Sequence, residues 1–233
     1  MLKIFCDTAE EKVIQKYIEY PNVKGITTNP SLMKQAGAKN YENYCKKLLK
    51  NFKNNKKSIS FEVLADDHLN MKRQALKINS WGNNIYVKIP IMNSKGKFQG
   101  KLIKELCDKN MKLNITAIFS YNQVEKLIRY INKDSHIYIS IFAGRIGDSG
   151  KNPISIFKKT IKKVKSFKNV EVLWASTREV YHYVQAKNLR CNIITMPPQM
   201  IDKLNTLGAS NHKMSLNTVK GFLIDSKKAK FKI

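Results

Sequence analysis

The feature that most constrains the fold of this chain is an alternation. Short β-rich runs are followed, eight times over, by longer amphipathic runs. The β-rich runs are 2–6, 23–28, 58–64, 85–91, 112–118, 136–142, 170–175 and 192–196. The helix-like runs between and after them are 9–19, 41–52, 67–79, 99–109, 121–131, 153–166, 178–186 and 198–204. Strict βα alternation predicts a parallel sheet with helical crossovers. Eight such units within 233 residues suit a closed (β/α)8 barrel. The expected fold class is therefore α/β, a single barrel domain over 1–233 with a C-terminal helical arm at about 211–233. An open doubly wound sheet is the alternative. No GxGxxG turn follows any strand, so the dinucleotide-binding form of that sheet has little support.

Composition narrows the function classes. Apolar residues make up 42% of the chain, enough for a sizeable core at this length. No uninterrupted apolar run reaches the length of a membrane span. The N-terminal run meets an acid at Asp7, too early for a secretion signal, so a cytoplasmic location is expected. Cys6, Cys45, Cys107 and Cys191 are widely spaced and read as small buried hydrophobes rather than zinc ligands or disulfide partners. The net charge is +26. The lysines are dispersed and not interleaved with aromatic side chains, so a base-stacking nucleic-acid groove is not expected. A positive field still attracts phosphorylated substrates.

The polar residues that interrupt the strands cluster near their C-terminal ends. They are Asp7, then Thr27, Thr28 and Asn29, then Glu62, Lys88, Asn114 and Thr116, then Arg145, Ser176 and Arg178. In a barrel these ends converge on one mouth, where barrel enzymes hold their active sites. Lys88 is the sharpest signal, in Ile85-Tyr86-Val87-Lys88-Ile89-Pro90. Side chains alternate along a strand, so if Val87 and Ile89 face the helices, Lys88 points into the barrel. Burial disfavours an ammonium ion, and an uncharged amine in a dry pocket attacks ketones. The competing reading is a lysine that snorkels from the rim. Asp7 reads as a general acid/base, or as a cap for the following helix through Asp-Thr-Ala-Glu. Glu62 reads as a second carboxylate, or as the ion-pair partner of a buried lysine. Arg145, Ser176 and Arg178 suit a phosphate clamp; the alternative for each arginine is a surface ion pair, such as Arg145 with Asp148.

Taken together, five strings resemble the transaldolase family, in the short subfamily that also holds fructose-6-phosphate aldolase. Thr27-Thr28-Asn29-Pro30-Ser31 is similar to its TTNPS signature, and the Lys88 strand to its Schiff-base strand. Asn114-Ile115-Thr116-Ala117-Ile118-Phe119-Ser120 resembles its N-x-T-x-x-F-S run. Phe142-Ala143-Gly144-Arg145-Ile146 resembles FVGRI, and Ala175-Ser176-Thr177-Arg178 resembles AS-x-R. The resemblance implies Lys88 as the imine-forming residue and Asp7 as the base at the C4 hydroxyl. It implies Glu62 as a proton shuttle through a water held by Thr116. Asn29 and Asn114 would bind hydroxyls, Thr27 would support the pocket, and Arg145, Ser176 and Arg178 would hold a phosphate. Phe142 and Glu62 look like the transaldolase choice, where the aldolase carries Tyr and Gln. The implied activity is transfer of dihydroxyacetone between sugar phosphates, with the aldolase reaction as the alternative, no metal or organic cofactor, and a homo-oligomer, pentameric or decameric. A basic barrel that binds nucleic acid is the competing class; salt-sensitive retention of DNA or RNA would mark it.

Overall fold

A computed structural model of the protein describes residues 1–52 and 55–232. Along the chain run β1 (Lys3–Asp7), α1 (Glu11–Ile18), β2 (Val23–Thr27), α2 (Pro30–Gln35), α3 (Tyr41–Leu49), β3 (Ser58–Glu62), α4 (His68–Asn79) and β4 (Ile85–Pro90). Then come α5 (Gly100–Cys107), β5 (Leu113–Ile118), α6 (Tyr121–Ile128), β6 (Ile137–Phe142), α7 (Ala143–Asp148), α8 (Ile154–Val164), β7 (Val170–Ala175), α9 (Tyr181–Asn188), β8 (Ile193–Met196), α10 (Pro198–Asp202) and α11 (Asn211–Ala229). The strands form a closed parallel barrel in chain order. Pairing of Phe5 with Thr195 and of Cys6 with Met196 closes it, which excludes the open sheet. Closure leaves no edge strand for another chain to extend.

All eight expected strands form, each within two residues of the sequence-based bounds. Two helices were not expected. Helix α2 has six residues, too short for a 3.6-residue pattern to show. It starts because Asn29 caps it, accepting from Leu32 N at 2.9 Å, and because Pro30 stands at the first helical position. Helix α7, Ala-Gly-Arg-Ile-Gly-Asp, carries two glycines and poor intrinsic propensity; packing imposes it.

Alternation builds the interior in layers. Toward the N-terminal ends, Phe5, Tyr138, Leu173 and Ile193 plug the barrel, with Tyr86 stacked on Tyr138 at 3.8 Å between ring centroids. Gly25 makes this plug possible: a β-carbon there would stand 2.9 Å from the Phe5 ring. Outside the strands, Val87, Ile89, Ile115, Ile139 and Val172 are fully buried. Burial of such side chains contributes about 1.5–3 kcal/mol each. All four cysteines are buried as thiols rather than disulfides, as expected for small hydrophobes. No helix among the described residues is long and apolar enough to cross a membrane.

The chain divides into two compact units, Met1–Ile201 and Asp202–Ile233. The first holds the barrel. The second holds α11, capped by Ser210, whose side chain accepts from Lys213 N. The expected arm also includes Ile233, which lies outside the described residues.

Candidate active site

The C-terminal ends of the strands surround a cavity of about 130 Å³, roughly four times the share of one liquid water. Asp7, Thr27, Asn29, Lys88, Asn114 and Ser140 line its depth, and Phe142, Arg145, Ser176 and Arg178 are among its other walls. Larger grooves exist elsewhere, including one of about 650 Å³ beside Asp66 and Lys97. That groove touches none of the expected site residues, so its size does not make it the reactive centre.

Lys88 points inward, as the alternation predicts. It is 6% exposed, so it does not snorkel. Its Nζ donates to Thr28 O at 2.9 Å and lies 3.1 Å from Glu62 Oε2. The register sets this pairing, because Glu62 on β3 stands directly beside Lys88 on β4. Both residues therefore share one inner layer, and the ion-pair reading of Glu62 holds.

Asp7 ends β1 and caps nothing. The residue flanking α1 is Glu10, with no side-chain cap. The carboxylate instead accepts from Thr27 Oγ1 at 2.7 Å. With its proton committed to Asp7, the Thr27 hydroxyl accepts from Thr195 Oγ1. Burial pushes the Asp7 carboxyl above its usual range; the nearby Lys88 charge and the Thr27 hydrogen bond pull the other way, and Glu62 adds to the rise.

The amides and hydroxyls are arranged for a guest. Asn29 spends its carbonyl oxygen capping α2, which leaves its amide group free to donate at the cavity wall. Asn114 donates to Ser60 Oγ at 3.1 Å, while its Oδ1 is buried without a partner. Thr116 Oγ1 and Ser176 Oγ are likewise buried and unpartnered. Buried polar atoms without partners are rare, and these three lie on residues expected at the site. Thr116 precedes an irregularity in the β5–β6 ladder, where Ala117 adopts a φ of 57°. Bulges of this kind re-aim side chains beside active sites. Ser120, the last residue of the same sequence string, serves structure: with Gln123 it forms the capping box of α6.

At the rim, the Arg145 guanidinium lies 5.4 Å from the centre of the Phe142 ring. The surface ion pair considered for Arg145 with Asp148 is made by Arg178 instead, at 2.8 Å. This pairing draws the Asp148 carboxyl below its usual range. Thr177 turns inward and donates to Thr195 O at 2.7 Å, and Ser176 stands in the left-handed region with φ 61°. Residues held there cluster at ligand clamps.

Every expected residue except two lines the cavity. Glu62 and Thr116 do not line it: Glu62 lies against Lys88 and Thr116 stands beside Pro90 in the β4–β5 register. Sequence reasoning missed Ser140 and Thr195, which do line it. Ser140 lies two residues before Phe142 and so shares its face of β6; that parity could have found it. Thr195 sits in a four-residue strand whose neighbours carry no comparable signal.

Comparison with known proteins follows the same lines. Residues 4–233 match the model of a family described as transaldolase/fructose-6-phosphate aldolase. A protein of Nitrosopumilus maritimus named as a probable transaldolase is 32% identical over 232 residues, covering 98% of this chain and 96% of that one. One of Bacteroides thetaiotaomicron with the same name is 29% identical, covering 97% and 99%. Among solved structures, N-acetylneuraminate lyase from Mycoplasma synoviae superposes with a TM-score of 0.56 at 10% identity, covering 97% of this chain and 82% of that one. Dihydrodipicolinate synthase from Aquifex aeolicus superposes with a TM-score of 0.60 at 8% identity, covering 85% and 70%. At such identities these two speak for the barrel alone.

Proposed function

The chain belongs to the transaldolase/fructose-6-phosphate aldolase family, and we propose that it is a transaldolase that moves a dihydroxyacetone unit between sugar phosphates through a Schiff base on Lys88. The single observation that carries the reading is the placement of the Lys88 amine. It is buried, held by Thr28 O and Glu62, and opens onto a small cavity shared with Asp7.

The chemistry follows from those positions. The Lys88 amine attacks the C2 carbonyl of a ketose phosphate, and loss of water forms an iminium. Glu62, working through a water beside Thr116, moves the protons of this dehydration. The Asp7 carboxylate takes the proton of the C4 hydroxyl. The C3–C4 electron pair then flows into the iminium, giving an enamine on Lys88 and a free aldose phosphate. The iminium itself is the electron sink, so the step needs no cofactor. An acceptor aldose phosphate enters, the enamine attacks its aldehyde, and Asp7 returns the proton. Hydrolysis of the new iminium releases the longer ketose phosphate. Asn29 and Asn114 bind the hydroxyls of the three-carbon unit, and Thr27 holds Asp7 in place. Arg145, Ser176 and Arg178 hold the phosphate, the two guanidiniums offering paired donors.

Phe142 supports transfer over simple cleavage. Its apolar ring offers no proton to the enamine, so the enamine waits for an acceptor. The expected homo-oligomer is part of the same reading. Helix α11 leaves Val219, Phe222 and Leu223 exposed, a surface that a second copy of the chain would cover.

The test is to supply fructose 6-phosphate with and without erythrose 4-phosphate and to measure sedoheptulose 7-phosphate and free dihydroxyacetone. Product that forms only with the acceptor is the expected result. Dihydroxyacetone released without acceptor would make the enzyme an aldolase, and neither product would overturn the assignment.

A further inference from the structure

Strand β2 stops one step short of what its neighbour needs. Its last pairing with β3 is Thr27 with Ser60, yet β3 continues to Glu62, which pairs on its other side with Lys88. In a parallel ladder, successive residues of a strand aim their backbone groups at alternate neighbours. Val63 N donates to Lys88 O, on the β4 side. The N–H and C=O of Glu62 therefore face the β2 side, where no strand remains.

A side chain fills that gap. The Tyr41 hydroxyl donates to Glu62 O at 2.8 Å and accepts from Glu62 N at 2.9 Å. One phenol thus satisfies both orphaned groups of the residue whose carboxylate lies 3.1 Å from Lys88 Nζ. Tyr41 is itself well anchored. It is the first residue of α3, whose start is fixed by Asn40 accepting from Asn43 N at 2.9 Å. Burial raises the pKa of the phenol far above its normal range, so it keeps the proton it donates.

We propose that Tyr41 is a positioning residue: its hydroxyl replaces the missing β2 partner and so holds the Glu62 carboxylate against Lys88. The proposal rests on the reading of Lys88 as the imine-forming residue. Without the hydroxyl, the end of β3 is tied only on its β4 side, and displacements of the order of 1 Å around a reacting group carry rate losses of up to about 100-fold.

The experiment follows imine formation directly, by borohydride reduction of the full-length protein with dihydroxyacetone and mass spectrometry of the peptide holding Lys88. In Tyr41→Phe the rate of trapping is expected to fall about 10-fold, with the dihydroxyacetone concentration for half-maximal rate within about twofold of wild type. In a Glu62→Gln background the same change is expected to add nothing, because the group it positions is already disabled; coupled residues are non-additive in this way. Trapping at the wild-type rate in Tyr41→Phe, or losses that multiply in the double variant, would overturn the role of Tyr41 alone. A wild-type protein that cannot be trapped at Lys88 would remove the reading of the site and this proposal with it. Should Tyr41→Phe fail to fold, hydrogen exchange at the Glu62 amide of the wild type decides: protection supports the bond to Tyr41, and free exchange overturns it.

Discussion

A β-carbon on residue 144 would stand 1.7 Å from the carbonyl oxygen of Ser176. Gly144 is the second residue of the short helix α7 after β6, and Ser176 begins the loop after β7, so the segments that carry Arg145 and Arg178 interlock at this point. The same added carbon would lie 2.7 Å from Arg178 Cγ. The loop after β7 cannot give easily, since Ser176 already holds a left-handed backbone and Thr177 is tied to Thr195.

Gly144→Ala is therefore expected to displace Ser176 and Arg178 together. Overpacking of this kind costs about 1–3 kcal/mol of stability, visible as a lower melting temperature. KM for a phosphorylated ketose should rise about 10-fold, the scale of one charge-assisted hydrogen bond. Borohydride trapping of unphosphorylated dihydroxyacetone on Lys88 should persist. Unchanged KM would show that the interlock does not shape the phosphate corner.

Arg145→Ala and Arg178→Ala each remove planar paired donors from the rim. KM for sugar phosphates is expected to rise about 10- to 100-fold in either variant, from the roughly 1.5–3 kcal/mol of a hydrogen bond to a charged group. Asp148→Asn, which only releases Arg178 from an exposed pair, should act through no more than a few-fold. Kinetics with phosphorylated and unphosphorylated donors separate these cases.

Lys88→Met leaves no amine to form the iminium. Transfer should vanish, and so should the borohydride-stable adduct on the peptide holding residue 88. An adduct that survives on another lysine would relocate the nucleophile.

Asp7 has a carboxyl pushed up by burial, and it must be ionised to take the C4 proton. Turnover is therefore expected to fall with decreasing pH from a point above the ordinary carboxylate range. Asp7→Asn should lower carbon–carbon cleavage by about 100- to 10,000-fold, while imine trapping with dihydroxyacetone continues. The stability sign is opposite. A carboxyl raised on folding favours the folded state at low pH, and that contribution is lost as pH rises through its folded value. Once ionised, Asp7 is thus a liability, and above its folded pKa Asp7→Asn should melt higher than wild type.

Phe142→Tyr places a hydroxyl at the cavity wall, near Arg145. Free dihydroxyacetone formed per sedoheptulose 7-phosphate is expected to increase, since the enamine gains a proton donor. A ratio equal to that of wild type would show that this position does not govern the fate of the enamine.

The order of strands and helices was legible because local periodicity records it. A strand buried on its outer face by helices reads Val87 and Ile89 as core, and the residue between them then has only the barrel interior to face. That argument placed Lys88 without any tertiary information. The polar residues near the strand ends were legible for the same reason, since a parallel barrel brings all such ends to one mouth. Short elements were not. Helix α7 carries two glycines, one of them packed closely against the Ser176 carbonyl, a contact that no local pattern encodes. The choice of Arg178 over Arg145 as the partner of Asp148, the hydroxyl pair of Thr27 with Thr195 across 168 positions, and the seat of Tyr41 on the unpaired end of β3 were decided by closure of the barrel. Each depends on how far one strand runs past its neighbour, and register between distant segments is set by packing of the whole sheet rather than by the residues on either side.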